Sequence, residues 1–192
     1  MEAMSIAHSI GRQRGTSLIE VLVTVVIVAF GLLGLVGLQS RMQLSEMESY
    51  QRAQALVLLN DMANRIAVNR GLADQYATGD VVGGDDDCPT DPTSRPEADL
   101  MEWCNALKGA AEVTAGGTST GAMLGGRGCV QRLLPDNEYM VTVAWQGLSP
   151  ISAPPASVTC GVDEYDGAAG SACTADRCRR VVTTIVRIAT LD

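Results

Sequence analysis

Few side chains in this 192-residue chain are equipped for chemistry, and their placement narrows what that chemistry is. The single histidine is His8, which lies ahead of a long apolar stretch. Everything after it lacks an imidazole, which removes Ser-His-Asp and Cys-His catalysis and any histidine-ligated metal. The remaining carboxylates form no acid/base constellation, so the residues identify no catalytic group and no enzyme. One carboxylate stands apart. Glu20 sits inside an almost wholly apolar segment shortly after Gly15. An ionisable group costs roughly 2.5–3.5 kcal/mol at the bilayer centre, less near an interface, and its presence there implies a partner. A cut between Gly15 and Thr16 would supply one, the new α-amino group of Thr16.

The six cysteines, Cys88, Cys104, Cys129, Cys160, Cys173 and Cys178, all follow the apolar segment. An even set confined there reads as disulfides made in an oxidising compartment. Sequence leaves the connectivity open; choosing short closures within each unit pairs Cys88 with Cys104, Cys129 with Cys160, and Cys173 with Cys178. Zinc would favour two close cysteine pairs, and the only close pair is Cys173 with Cys178, so no metal is expected. The acidic run Asp85–Asp87 lacks the spacing of a calcium loop and reads as solvated. The glycine-rich stretch before Cys129 has no phosphate-cradling pattern and reads as a flexible connection. No cofactor is implied. The net charge of −8 argues against a nucleic-acid partner, which would meet a basic patch.

These residues need elements to hold them. From Val21 to Leu38 there is no charge. Helical residues rise about 1.5 Å each, so about 20 of them span a bilayer core. Arg12 and Arg14 lie before the segment, on the side expected to stay cytoplasmic. Small residues such as Gly31, Gly34 and Gly37 let membrane helices approach closely, and they also weaken a helix. Residues 39–70 contain neither proline nor glycine, and the helix is expected to continue from about Thr16 to Arg70. Ala53, Leu56, Leu59, Ala63 and Ile66 form one apolar stripe, with Glu48–Arg52 and Asp61–Arg65 as supporting ion pairs and Gly71 as the C-cap.

Residues 72–95 read as loop. A second helix is expected over 96–108, with Pro96, Glu97 and Asp99 suited to its start. Leu100, Trp103, Cys104 and Leu107 form its buried face, where Trp103 serves the core. Strands are expected at 129–134, 139–146 and 180–190, with Pro135–Glu138 as the break between the first two and a proline- and glycine-rich loop before the last. The fold class is α+β: a long N-terminal helix packed on a small antiparallel sheet. The domain reading is a leader at 1–15, a membrane or filament-core helix at 16–38, its amphipathic continuation at 39–70, and a disulfide-containing head at 71–192.

A secretory signal is cut after its apolar stretch; here the expected cut precedes it and leaves the helix on the mature chain. Arg12, Arg14, Gly15, Thr16, Ser17, Leu18, Ile19 and Glu20 together resemble the class III signal of type IV pilins and type II secretion pseudopilins. Those families carry phenylalanine where this chain has Thr16. With a cysteine-bearing head, the chain looks most like minor pilins of the PilV kind. The resemblance implies cleavage by a prepilin peptidase between Gly15 and Thr16, N-methylation of Thr16, and Glu20 as the assembly carboxylate. It also implies, as partners, other minor pilins, the major pilin, the inner-membrane pilus assembly machinery and membrane lipid. The chain would sit in the inner membrane with its head in the periplasm, then pass into the pilus at the cell surface. Its role would be to prime or join the filament and so support twitching motility and adhesion. A minor pseudopilin and a membrane-anchored or tip-displayed adhesin are the alternatives.

Overall fold

The computed structural model describes residues 17–109, 123–135 and 137–189. The basic leader, the Gly15–Thr16 bond and most of the glycine-rich connection lie outside the described residues. The chain divides into two compact units, Met1–Gln43 and Leu44–Asp192.

One helix, α1, spans Leu18–Val68 without a break over 51 residues. From Val21 to Leu38 its side chains are apolar but for Thr24, and they are exposed on every side, as at Leu32 (57%) and Phe30 (72%). Its most apolar 18-residue window has a mean hydropathy of 2.9 and no buried residue, as a helix long enough to cross a membrane would have. A methyl group added at Gly31, Gly34 or Gly37 would meet nothing within 4 Å, so these glycines serve no packing among the described residues.

In the second unit α1 has a buried stripe, but its register differs from the expected one. Gln51, Ala55, Leu59, Met62 and Ile66 are buried, whereas Ala53 and Leu56 face outward. Leu59 and Ile66 belong to both stripes, and Ala63 packs at the margin of the core. The helix ends at Val68, and a 3-10 segment, Arg70–Tyr76, follows. Gly71 lies within that segment and is not a left-handed cap. The stretch expected to be loop also buries Ala73 and Tyr76 and contributes a short strand, β1 (Val82–Gly83).

The second helix, α2 (Arg95–Leu107), starts with a capping box: the Ser94 hydroxyl accepts from the Glu97 N–H, and Glu97 accepts from the Ser94 N–H at 3.2 Å. The Glu97 carboxyl is held below its ordinary range, first by the Thr93 backbone N–H and then by the Thr93 hydroxyl. Strands β2 (Arg127–Leu133), β3 (Glu138–Gln146) and β4 (Arg179–Arg187) complete a four-stranded antiparallel sheet in the order β1-β2-β3-β4. Thr142 on β3 pairs with Cys129 on β2 and with Thr183 on β4.

The core lies between α1, α2 and one sheet face. Leu59, Met62 and Ile66 meet Trp103 and Leu107 of α2 and Val141 and Val143 of β3. Fully burying an apolar side chain of this size contributes roughly 1.5–3 kcal/mol. Trp103 is fully buried; its indole N–H donates to the Leu58 carbonyl at 2.9 Å, and its ring lies against Gly128 of β2. A Cβ at Gly128 would fall 2.2 Å from the Trp103 ring, so the close approach of helix and strand requires glycine there. The opposite face of β3 is covered too. Thr142 and Ala144 are buried, and Ala144 joins a second cluster with Cys129, Cys160 and Tyr165. The loop between β3 and β4 is therefore a packed layer, held by backbone hydrogen bonds and by disulfides.

Candidate functional site

The first turn of α1 is where the expected processing and assembly residues meet the structure. Ser17 precedes the helix; its carbonyl accepts from the N–H groups of Glu20 (3.0 Å) and Val21 (3.3 Å), and its hydroxyl accepts from Glu20 N–H at 3.4 Å. Glu20 therefore lies in the first helical turn, where the unsatisfied N–H groups carry partial positive charge and favour a carboxylate. Its side chain is exposed and has no charged partner among the described residues. No other charged residue appears on α1 until Arg41. Thr24 is the next polar group, and its hydroxyl is satisfied by the Val21 carbonyl at 2.8 Å. Glu20 is thus the one carboxylate between Leu18 and Leu38, and no donor among the described residues reaches its side chain. Gly15 and Thr16 lie outside the described residues, so the cut itself has no geometry here.

The head holds its charges differently. Asp99, expected at the start of α2 for its charge alone, is fully buried and gathers four partners. Arg65 reaches it at 2.8 Å, Arg95 at 3.0 Å and Asn69 at 3.3 Å, and the Tyr76 hydroxyl donates to the same carboxylate. Arg65 also pairs with Asp61 at 2.9 Å, as the i, i+4 spacing predicts, and with Glu102 at 2.6 Å. Burial would lower the Arg65 pKa, but hydrogen bonds to Glu102 and Asp99 outweigh it and the net direction is upward. The Tyr76 phenol is pushed up to about 12, first by burial and then by its bond to Asp99. The network joins the end of α1, the 3-10 segment and α2, and none of its buried side-chain polar atoms lacks a partner. It is structural.

The other expected ion pair is replaced. Glu48 does not turn to Arg52; it accepts from Arg180 of β4 at 3.2 Å and from the Leu148 N–H at 3.1 Å. A half-buried carboxylate gains more from a fixed guanidinium and a backbone donor than from an exposed neighbour on its own helix.

Three disulfides close the second unit: Cys88–Cys104, Cys129–Cys160 and Cys173–Cys178. Cys88–Cys104 ties the loop before α2 to α2 itself, and Cys129–Cys160 ties β2 to the covering layer. In that layer the Arg179 guanidinium donates to the Val158 and Cys160 carbonyls at 2.7 and 3.0 Å. Arg127 pairs with Glu164 at 3.0 Å and lies over the Tyr165 ring, 5.1 Å from its centroid. Among the described residues no group of three or more histidine, cysteine or acidic side chains is arranged to hold a metal.

Comparison with known proteins adds one finding at the N-terminal end. Residues 10–36 match a family model described as the prokaryotic N-terminal methylation motif. No curated protein and no solved structure matches the chain. The matched segment takes in Gly15, Thr16 and Glu20 and most of the exposed apolar helix. The motif implies processing by a prepilin peptidase and assembly with pilus components, and the helix that follows it is of the kind that anchors a protein in a membrane. Motif, long helix and four-stranded α+β head together support a type IV pilin-like or pseudopilin-like protein.

Proposed function

We propose that this chain is a minor pilin of the type IV pilus, of the PilV kind. The observation that carries the reading is the prepilin-type motif at residues 10–36, which overlaps an exposed apolar helix with a single open carboxylate. In this reading residues 1–15 are a leader. Prepilin peptidase removes it between Gly15 and Thr16, and Thr16 becomes the methylated N-terminus. Residues 16–38 hold the subunit in the inner membrane, residues 39–70 continue the helix, and residues 71–192 form the head in the periplasm. Glu20 then receives the α-ammonium of a neighbouring or its own mature terminus, which offsets the cost of an ionised group at that depth. The subunit enters the filament at low copy with other minor pilins and the major pilin. It thereby supports assembly, twitching motility and adhesion.

Two measurements test this. N-terminal sequencing of the mature protein is expected to begin at Thr16, and Gly15→Arg is expected to leave the leader in place; a mature start at Met1, or beyond Leu38, overturns the reading. Glu20→Ala is expected to be processed normally yet depleted from sheared pili relative to membranes, and equal recovery in the filament removes Glu20 from the mechanism. The motif is shared with secretion pseudopilins, so gene deletion separates the machines. Loss of type II secretion with normal twitching assigns the chain to secretion. Loss of surface attachment alone assigns the head to adhesion.

A further inference from the structure

A cleft of about 420 Å³ opens in the second unit between α1, the start of β4 and the loop after β3. Its apolar wall is Trp145, Ile151 and Pro154, and its polar wall carries Arg52, Arg179 and Arg180. Glu48 is the one carboxylate among its lining residues, and Arg180 is committed to it at 3.2 Å and to the Ser149 carbonyl at 2.5 Å. Arg179 is only 2% exposed; both terminal nitrogens of its guanidinium are held, Nη1 by two carbonyls and Nη2 by Asp176 at 3.1 Å. Its Nε donor is itself buried and has no hydrogen-bond partner among the described residues. Arg52 is exposed and has neither an ion pair nor a hydrogen bond among the described residues.

The charges do not cancel. Glu48 and Asp176 answer two of the three guanidinium groups, which leaves one positive charge uncompensated in a chain whose net charge is −8. A buried guanidinium whose donors are not all answered adds to the positive field of the cleft. Beside these donors Ile151 leaves 51% of its surface to solvent. A single excess charge next to an apolar wall fits one carboxylate attached to apolar neighbours. It fits a phosphate poorly, since a second negative charge would face Glu48 and nothing on the ligand would cover Ile151. The volume is in the range of natural ligand sites, roughly 300–1,000 Å³, and suits two or three side chains.

We propose that this cleft binds an acidic peptide segment, its Asp or Glu carboxylate received by the exposed Arg52 beside the buried charge of Arg179, and the adjoining apolar side chain lying on Ile151 next to the largely buried Trp145. The site lies in the second unit, is distinct from Glu20, and is independent of which filament the chain joins.

The test uses the full chain in nanodiscs of neutral lipid, with acetyl-Leu-Glu-Leu-amide as the probe. The indole N–H signals of the two tryptophans are followed by NMR. The peptide is expected to shift Trp145 saturably while the core Trp103 stays in place. Replacing Glu by Gln in the peptide is expected to weaken binding about tenfold, as loss of a charge-assisted bond does. Arg52→Glu should weaken it by at least about tenfold, and Arg52→Lys, which keeps the charge, by much less. Because Arg52 is exposed and unpaired, an unchanged Trp103 signal in both variants shows that the head is intact. Equal affinity for the Glu and Gln peptides, no movement of Trp145 up to millimolar peptide, or inorganic phosphate binding as tightly as the peptide would each overturn the proposal.

Discussion

The two units of this chain treat charge and apolar surface in opposite ways. From residue 18 to residue 38 apolar side chains are exposed, and the single carboxylate, Glu20, has no charged partner among the described residues. In the head the comparable apolar residues are buried, and the buried carboxylate, Asp99, has four partners. The difference teaches where each unit finds its stability. A helix greasy on all sides needs a surrounding of lipid or other helices, because the described residues supply no cover. The head supplies its own, with a core on one sheet face, a covering layer on the other and disulfides through both.

That contrast can be broken from the head side. Asp99→Ala has the largest expected effect. It leaves Tyr76 and Asn69 without their buried acceptor and takes away the carboxylate shared by Arg65 and Arg95, and breaking a buried ion network of this kind costs about 3–5 kcal/mol. Denaturation of the full chain should show that loss while the mature N-terminus is unchanged; a cleavage defect in this variant would mean that the units are not separable. Cys104→Ser comes next. Removing a native disulfide from a small secreted domain costs about 2–5 kcal/mol, and the steady-state protein level is expected to fall, again without an effect on processing. If the level holds, the Cys88–Cys104 bridge is dispensable to the head.

The smallest effect is one of pH. Tyr76 and Tyr165 are both pushed up to about 12, in each case first by burial; for Tyr165 the nearby Arg127 opposes the shift. An unfolded phenol titrates near about 10. Both groups therefore hold their protons more tightly in the folded head. Their contribution to stability is complete below about pH 10 and is lost as pH rises through about 12. The denaturation midpoint should decline across that window, and Tyr165→Phe should flatten the decline. An identical slope in the variant would assign the loss to other groups.

How much of this was legible in the sequence depends on whether the cause is local. The unbroken helical run, the start of α2, the three longer strands and the signal around Gly15 and Glu20 follow from neighbouring residues: missing proline in α1, apolar period, Pro96 with its acidic neighbours, a carboxylate in a greasy segment. Trp103 was readable as core because its helix face is apolar at regular spacing. The buried stripe of α1 was not. Ala53 and Leu56 are as apolar as Ala55 and Met62, and only the seating of the sheet and α2 selects which of these faces inward. Gln51 shows the same limit, being buried although its side chain is polar.

By itself the sequence determined the long helix, the α+β class, the oxidised cysteine set and the apolar N-terminal unit, because each is written in residue type and local period. Tertiary structure alone decided the rest. It drew Glu48 away from Arg52 and onto Arg180, buried Asp99 among four donors, turned the loop after β3 into a layer over the sheet, and brought Val82–Gly83 alongside β2 as a fourth strand. In each case the deciding partner lies far away in sequence. A polar group in a folded chain takes the partner that desolvates with it at the best geometry, and no local pattern records which one that is.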